Sequence, residues 1–377
     1  MRVALVCPYS LSRPGGVQGQ VLGLAHSLTR RGHRVRVFAP LDRARDRPAD
    51  VDVVATGGTV SVRANGSIAP VALSPVAVYR ALVALREWDA DVVHVHEPFA
   101  PGLPYGLLVS GGLPPVVGTF HRSGRSALYA LLRPLTRRLV DRLAVRCAVS
   151  ETAAATAREA LGGRYDVLFN GIEVDRYSGV DPWPASGPTA LFLGRHEERK
   201  GLAVLLDAWE SVVGRGPGEG GTPVLWVAGD GPETARLRRR HPESERLRWL
   251  GVVDDVEKVR RLVRADVLAA PSLGGESFGL VLLEAMAART VVVASDIEGY
   301  RDAAGPGAVL VPPGDAPALA AALTGVLAGE LAPAGTGAGP GRETWLDEGA
   351  ARAGRWSMDS LAGRYEAHYR AVVGHRS

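Results

Sequence analysis

The hydrophobic positions along the chain alternate between short continuous runs and longer amphipathic segments. The run at 3–7 is wholly apolar and those at 92–95 and 116–119 are largely so, which is typical of strands that are covered on both faces. Between such runs, the segment 17–31 repeats apolar residues at intervals of three and four, as an amphipathic helix does. This alternation persists through the chain and predicts an α/β fold built on parallel sheets.

The alternation occurs twice, which predicts two domains of similar design. In the first half, strands are predicted at 3–7, 35–38, 53–55, 60–63, 92–95, 116–119 and 147–149, and helices at 17–31, 76–85, 126–145 and 151–161. In the second half, strands are predicted at 190–193, 224–228, 247–250, 267–270, 291–294 and 308–311, and helices at 201–213, 233–239, 256–264, 278–288 and 317–328. We place the boundary between 169 and 170, so that the domains are 1–169 and 170–356. A last helical stretch at 357–377 is expected to pack back on the first domain.

The composition agrees with two ordinary folded domains and indicates the cell compartment in which the protein is expected. The 377 residues are 46% apolar, enough for two cores. No apolar run reaches about 18 residues, so no transmembrane helix is predicted, and the apolar start of the chain is too short for a signal peptide. Cys7 and Cys147 lie in apolar contexts and are expected to be reduced core residues, which favours a cytoplasmic protein. Nothing indicates a nucleic-acid partner.

The chain has 44 basic residues, but Lys200 and Lys258 are its only lysines. A GC-rich genome favours arginine over lysine, so the positions of the two lysines could be due to chance. Both nevertheless fall in motifs that could bind a ligand. A compact ammonium can enter a diphosphate or base pocket that a planar guanidinium does not fit.

The sequence PSLGGESFGLVLLE at 271–284 is the strongest candidate for a ligand site. It follows an apolar strand, and its glycines allow a ligand to approach the backbone. The helix that begins near Gly279 could direct its free N–H groups at a diphosphate. Glu276 precedes this helix and could accept hydrogen bonds from hydroxyls, whereas Glu284 lies about two turns into it and could reach a ribose.

Two further candidates follow strands of the first half. The turn at 9–18 contains Gly15 and Gly16 at the start of a helix, and it is either an anion site or an ordinary strand–helix turn. His121, in VVGTFHRSGRS, follows a buried strand and could hydrogen-bond a sugar hydroxyl or a phosphate. The alternative is a structural histidine.

The motif HVHEP, with His94, His96 and Glu97, has the spacing of two metal ligands. Further ligands with recognisable spacing are missing, so a structural or cleft-lining role is favoured over a metal site.

Two charged segments of the second half complete the set. In LGRHEERKG, Arg195 and Lys200 could neutralise a diphosphate leaving group, unless the run is simply a solvated surface. In VVDDVEKV, Lys258 could line a base pocket, while Asp254 or Asp255 could be only a helix N-cap.

Together these motifs resemble the retaining glycosyltransferases of family four, which have the GT-B fold of two Rossmann-like domains with parallel sheets that face a central cleft. Within that family the chain most resembles the actinobacterial phosphatidylinositol mannosyltransferases. The stretches that carry the resemblance are CPYS with PGGVQ, NGS at 65–67, HVHEPFAP, TFH at 119–121, LGR with RKG, VDD with Lys258, and GGESFGLVLLEAMAA.

The resemblance implies a reaction and a set of roles. A hexose, mannose from GDP-mannose, would pass to an inositol hydroxyl of phosphatidylinositol with retention; the alternative is a soluble enzyme that glycosylates a small metabolite or natural product. No obligatory cofactor is implied, although Mg²⁺ could accompany the nucleotide. The implied catalytic residues are His121, Arg195, Lys200 and Glu276. The implied donor-binding residues are Gly16, Val253, Lys258, Ser277, Phe278, Gly279, Leu280 and Glu284. The implied acceptor-binding residues are Tyr9, Gln18, Asn65 and Arg125.

The sequence departs from the family pattern at several positions. Ser12 stands where an acid is expected, and Arg289 replaces a glycine. The helix at 76–88 should be strongly basic and dock on anionic lipid, but its basic residues are Arg80 and Arg86. The Arg-rich segment 122–146 could compensate as a membrane-binding helix, which would make the protein peripheral on the inner face of the plasma membrane. The alternative is an Arg-rich helix that faces solvent.

Overall fold

A computed structural model describes residues 1–13, 15–64, 67–121, 133–214, 221–276, 278–329 and 341–374. The chain divides into two compact units, and the division falls after Gly171. The boundary predicted from the sequence was two residues earlier, after residue 169. The first unit is Met1–Gly171 with Met358–Ser377, and the second is Ile172–Ser357.

The first unit is built on a parallel sheet with a separate hairpin. Its strands are β1 (Arg2–Val6), β2 (Arg34–Ala39), β3 (Val53–Ala55), β4 (Val60–Ala64), β5 (Ser67–Val71), β6 (Val92–His96), β7 (Val116–Phe120), β8 (Leu143–Ala148) and β9 (Asp166–Val167). Its helices up to the division are α1 (Gly16–Arg30), α2 (Pro75–Trp88), α3 (Leu103–Ser110), α4 (Arg133–Val140) and α5 (Glu151–Leu161). The sheet order is β3-β2-β1-β6-β7-β8-β9, and β4 pairs with β5 in an antiparallel hairpin.

Both faces of this sheet are covered, as its largely apolar strands require. Along β1, Val3 and Leu5 face one core cluster, which includes residues of α1. Ala4 and Val6 face the opposite cluster, which includes residues of α2, α3 and α5. This alternation follows from the two-residue period of a strand.

The second unit repeats the design with a six-stranded parallel sheet. Its strands are β10 (Thr189–Leu193), β11 (Val224–Ala228), β12 (Leu247–Gly251), β13 (Val267–Ala270), β14 (Val291–Ser295) and β15 (Ala308–Val311), in the order β12-β11-β10-β13-β14-β15. Its helices are α6 (Leu202–Gly214), α7 (Thr234–Arg240), α8 (Asp255–Arg264), α9 (Leu280–Ala287), α10 (Glu298–Ala304), α11 (Ala316–Leu327) and α12 (Arg342–Arg355). The last helix, α13 (Met358–Gly374), belongs to the first unit and contributes Tyr365 and Tyr369 to its core.

The prediction of an Arg-rich helix through 122–146, interrupted or kinked near Pro134, is wrong at its C-terminal end. Helix α4 ends at Val140, and β8 begins at Leu143 because the apolar residues that follow pair in parallel with β7. Arg142 donates hydrogen bonds to the carbonyl oxygens of Leu108 and Val109, and Arg146 lies 3.0 Å from the carboxylate of Asp141. These two arginines therefore stabilise the fold instead of forming a helical membrane face, while residues 122–132 lie outside the described chain.

Arg289 follows α9 at the position where a glycine was expected. Its φ is 59°, in the left-handed region that glycine occupies at lower cost. The guanidinium makes ion pairs of 2.6 Å with Asp347 and 2.7 Å with Glu343, both on α12. The arginine therefore ties α12 to the end of α9 at a position where the backbone alone would favour glycine. Among the described residues, no helix is both long enough and apolar enough to cross a bilayer.

Candidate active site

The carboxylate of Glu276 lies at the centre of a charged cluster beyond β13. Its Oε1 atom is 2.7 Å from Nζ of Lys200 and 2.9 Å from a guanidinium nitrogen of Arg199. Ser272 donates to the same oxygen at 3.3 Å and is itself 2.8 Å from the hydroxyl of Tyr300. The Glu276 side chain is 12% exposed, so the carboxylate is held by fixed partners and can still be reached from solvent.

Two glycines allow the loops of this cluster to pack closely. Gly201, directly after Lys200, has a φ of 66°, and a Cβ atom there would lie 1.9 Å from the carbonyl oxygen of Pro271. A Cβ atom on Gly299 would lie 1.8 Å from the carbonyl oxygen of Glu276. Any larger residue at either position would push the loop of Glu276 away from Lys200.

Arg195 extends the cluster through a second carboxylate. Glu197 lies 3.0 Å from Arg195 through one oxygen and 3.0 Å from Arg199 through the other. Three cations, Arg195, Arg199 and Lys200, therefore surround the two carboxylates of Glu197 and Glu276. A cluster of cations at the carboxyl ends of parallel strands suits a phosphorylated ligand. Sequence reasoning selected Arg195 and Lys200 and missed Arg199, which is adjacent to Lys200 in a short 3₁₀ helix, Glu198–Lys200.

His196 fixes the loop that carries Arg195, a role that no sequence motif indicated. Its Nδ1 lies 2.8 Å from the hydroxyl of Thr234. That hydroxyl donates to Asp230 at 2.7 Å and accepts from the backbone N–H of Gly231 at 2.9 Å, so His196 must be the donor in their contact. Burial lowers the pKa of His196. Its neutral ring thus joins the loop after β10 to the loop after β11.

Lys258 and Glu284 form a second ion pair in the same unit. The Nζ atom lies 2.8 Å from Oε1 of Glu284, and both side chains are about one quarter exposed (25% and 23%). Asp254 accepts from the backbone N–H of Glu257 at 2.8 Å, so it is the N-cap of α8. Val253 is half-buried beside this cap. The two lysines of the chain are therefore each paired with one of the two glutamates of the GGESFGLVLLE motif.

Helix α9 begins directly after Gly279, as the sequence predicted. Gly279 has a φ of 78° and precedes the helix, which begins at Leu280, a half-buried residue. Phe278 is 3% exposed and packs edge-on against Trp356 at 5.0 Å between ring centroids. Its ring is therefore part of the core, which leaves its backbone as the part that a ligand could contact. Ser277 lies outside the described residues.

In the first unit, His121 lies at the end of β7 and is held by two consecutive residues of the HVHEP motif. Its Nε2 is 2.8 Å from Nδ1 of His96, and its backbone N–H donates to Oε1 of Glu97 at 2.6 Å. Burial lowers the pKa of His121 to about 3 and that of His96 well below its usual value, so both rings are neutral at pH 7.

The H-x-H spacing does not form a metal site within the described part of the chain. His94 uses Nδ1 on the hydroxyl of Tyr369 and Nε2 on that of Thr119, both at 2.7 Å. His96 uses Nδ1 on His121. The described residues contain no group of three or more His, Cys, Asp or Glu side chains that could hold a metal ion. The motif is therefore structural around His94, and it supports His121 through His96.

The residues expected on the acceptor side are only partly described. Gln18 is 7% exposed and donates to the carbonyl oxygens of Arg13 at 3.0 Å and Ser10 at 3.3 Å, so it shapes the first loop. Tyr9 pairs with Val71 at the end of the β4–β5 hairpin. A Cβ atom on Gly16 would meet nothing within 4 Å, which leaves open space in front of its backbone. Asn65 and Arg125 lie outside the described residues.

Two family models match the chain, one in each half. The model for glycosyltransferase family 4 matches residues 14–176, and the model for glycosyl transferases group 1 matches residues 187–329. Together they cover the strands that carry His121 and Glu276.

Among proteins of known sequence, the chain is similar to the phosphatidyl-myo-inositol mannosyltransferase of Mycolicibacterium smegmatis, with 41% identity over 339 residues that cover 87% of this chain and 85% of that one. It is 39% identical to the protein of the same name from Mycobacterium tuberculosis, over 99% of this chain and 98% of that one.

Among solved structures, it is similar to a glycosyltransferase from Rickettsia africae (TM-score 0.70, 16% identity, 99% of this chain and 98% of that one). It is also similar to the Anabaena protein HepE in complex with UDP and glucose (TM-score 0.70, 18% identity, 98% of this chain and 100% of that one). These two structural matches establish the GT-B fold. The sequence matches go further: this chain is a hexosyltransferase that belongs to glycosyltransferase family four, in the group of the phosphatidyl-myo-inositol mannosyltransferases.

Proposed function

We propose that the protein transfers mannose from GDP-mannose to an inositol hydroxyl of phosphatidylinositol, with retention of the anomeric configuration. The names of the relatives at 39% and 41% identity support this donor sugar and acceptor. The single observation that carries the proposal is the position of the Glu276 carboxylate between Lys200 and Arg199. It sets a group that can accept hydrogen bonds from sugar hydroxyls directly beside cations that suit a diphosphate.

On the donor side, the carboxylate of Glu276 accepts hydrogen bonds from the sugar hydroxyls, while Arg195 and Lys200 neutralise the diphosphate. Lys258 contacts the guanine and Glu284 the ribose, so binding of GDP-mannose rearranges or shares their present ion pair. Gly16 leaves room for the diphosphate, and His121 lies near the reacting centre. Tyr9, Gln18, Asn65 and Arg125 line the acceptor side.

The chemical step is a displacement on one face of the sugar. The bond between the anomeric carbon and the diphosphate oxygen breaks as the bond to the inositol oxygen forms on the same side. The hydroxyl proton passes to the departing diphosphate, which leaves as GDP. Arg195 and Lys200 stabilise the charge that develops on this leaving group, which is electrostatic catalysis.

Mg²⁺ has no resident site among the described residues, as judged from their His, Cys, Asp and Glu side chains. We assign no step to it. Any Mg²⁺ would arrive with the diphosphate of the donor.

A soluble acceptor is the alternative function, and one observation favours it. The basic side chains of α2 are Arg80 and Arg86, whereas an anionic lipid surface attracts clusters of basic residues. Under this alternative the donor site is unchanged and a small metabolite or natural product replaces the lipid.

Transfer of labelled mannose separates the two functions. Purified protein is incubated with GDP-mannose and phosphatidylinositol vesicles, with lipid-free and UDP-sugar reactions as controls. We expect labelled lipid in the reaction with GDP-mannose and vesicles, and none in the lipid-free or UDP-sugar controls. Binding of the donor without labelled lipid would contradict the lipid acceptor and support a soluble one.

A further inference from the structure

Three histidine rings lie in a row at the carboxyl ends of β6 and β7. The rings of His94 and His96 are stacked, with centroids 4.4 Å apart and an interplanar angle of 28°. The rings of His96 and His121 have centroids 5.1 Å apart and an angle of 27°, and a ring nitrogen of each meets the other. His96, in the middle, is 2% exposed, and His121 at the outer end of the row is half-buried.

The hydrogen bonds of His96 constrain where its proton lies. Its Nδ1 is 2.8 Å from Nε2 of His121, whereas its Nε2 is buried and contacts no partner among the described residues. A proton on Nε2 would be an orphaned buried N–H, which is rarer in proteins than an under-satisfied acceptor. The favoured tautomer of His96 therefore carries its proton on Nδ1 and leaves Nε2 as an unprotonated nitrogen.

We propose that His96 is a positioning residue for His121: its Nδ1–H donates to Nε2 of His121 and fixes His121 in the tautomer that carries its proton on Nδ1. A neutral histidine has one donor nitrogen and one acceptor nitrogen. The lone pair of His121 is engaged by His96, so its remaining nitrogen is an N–H donor. His121 then donates to an oxygen of the substrate, a hydroxyl or a phosphate oxygen, and does not act as a general base.

Glu97 supports the same arrangement from the backbone. Its Oε1 accepts from the N–H of His121 at 2.6 Å, and its own N–H donates to the carbonyl oxygen of Thr119 at 2.8 Å. Glu97 has a φ of 48°, which is uncommon for a residue other than glycine. Backbone strain of this kind persists where surrounding contacts hold it, often beside functional groups. His96 thus fixes the ring of His121 while Glu97 fixes its main chain.

The tautomer can be measured without any substrate. Protein labelled with ¹⁵N-histidine is recorded by long-range ¹H–¹⁵N correlation, and the His121 signals are those that vanish in His121→Phe. We expect a protonated Nδ1 and an unprotonated Nε2 at His121 in the unaltered protein. His96→Leu should give a mixture of tautomers, and His96→Asn, whose amide N–H can replace the donor, should restore the first. His121 protonated on Nε2 in the unaltered protein would overturn the proposal.

The kinetic consequence rests on the proposed function, because it needs a transfer assay. His96→Leu should lower kcat about 10- to 100-fold, as expected when a catalytic group is misplaced, with the KM for donor nearly unchanged, and His96→Asn should recover most of the loss. His26→Asn serves as a control at a histidine of α1 that pairs with Asp50. Unchanged kcat in His96→Leu would contradict the positioning role. The tautomer result stands or falls separately from the identity of donor and acceptor.

Discussion

The Nζ atom of Lys200 lies 2.7 Å from Oε1 of Glu276, so one carboxylate oxygen joins the loop after β10 to the loop after β13. Lys200 follows the first strand of its unit and Glu276 the fourth. Because β10 and β13 are neighbours in the sheet, their carboxyl ends bring the two residues together. This pair places a cation suited to phosphate directly beside an acceptor suited to sugar hydroxyls.

Replacement of Glu276 by Gln tests the division of labour in this pair. The variant keeps the shape of the side chain but loses the charge that pairs with Lys200 and that we propose for binding the sugar hydroxyls. We expect transfer to fall about 100- to 1000-fold, the range for loss of one preorganised electrostatic group. GDP affinity, measured by calorimetry, should be unchanged or tighter, because Lys200 and Arg199 are freed for the diphosphate. Glu348→Gln, an exposed carboxylate on α12, is the matched control. Full activity in Glu276→Gln would exclude the assigned role.

Replacement of Lys200 by Gln should lower GDP affinity, in contrast to the replacement of Glu276. Loss of one charge-assisted hydrogen bond to the diphosphate costs about 1.5–3 kcal/mol, so GDP affinity should fall about 10- to 100-fold. Lys200→Arg should recover part of this affinity, since a guanidinium keeps the charge but not the compact shape. Arg289→Gln removes a cation whose carboxylate partners lie on α12, and it should leave GDP affinity unchanged. Equal GDP affinity in Lys200→Gln and the unaltered protein would refute the assignment.

The sequence predicted the strands of both sheets far better than the residues that orient the site. Buried parallel strands leave a strong signal because both faces must be apolar, as in β13. The loops are harder to predict: the role of His196 depends on its contact with Thr234, which begins α7 and lies 38 residues further along the chain. Arg199 was overlooked because a charge run does not reveal which cation faces a carboxylate from the next strand.

The predicted helix at 126–145 failed for a related reason. Leucines at helical spacing continue up to Leu143, so the periodicity does not mark the point where α4 ends and β8 begins. The register of β8 against β7 decides that point, and this is a tertiary contact. Likewise, the pairing of each lysine with one glutamate of the GGESFGLVLLE motif depends on sheet order, which spacing along the chain does not contain.

The pair of Lys258 and Glu284 should matter for nucleotide binding and little for stability. Both side chains are about one quarter exposed, so both charges remain in contact with water, and ion pairs that stay solvated contribute about 0–1 kcal/mol. We expect Lys258→Ala and Glu284→Ala each to lower GDP affinity about tenfold or more, in line with a lost charged hydrogen bond. Chemical denaturation should show a change in unfolding free energy below about 1 kcal/mol. A large loss of stability with unchanged GDP affinity would instead make the pair structural.

Acid should destabilise the first unit through its row of histidines. Burial lowers the pKa of His94 and of His121 to about 3, below the usual 6.5. The unfolded chain therefore binds more protons than the folded one below pH 6.5, so their stabilising contribution is complete above that pH and is lost as the pH falls. Each such histidine contributes a slope of about 1.4 kcal/mol per pH unit.

Urea denaturation between pH 7 and pH 5 measures this slope. His94→Gln should reduce it by roughly one histidine's share. A slope that is the same in His94→Gln and the unaltered protein would show that His94 does not remain neutral in the fold.

Helix α2 offers a test of attachment to lipid that does not depend on catalysis. Val76 and Tyr79 are 53% and 67% exposed and share a face with Arg80, so the first turns present apolar groups beside a cation. Such a face can enter a headgroup region even with few basic residues. We expect Val76→Asp with Tyr79→Asp to lower sedimentation with phosphatidylinositol vesicles at least about tenfold, through lost apolar contact and added negative charge. Val256→Asp, at a residue 69% exposed in the second unit, is the control for surface charge. Equal sedimentation of both variants would move the lipid-binding face away from α2, and no sedimentation of the unaltered protein would favour the soluble acceptor.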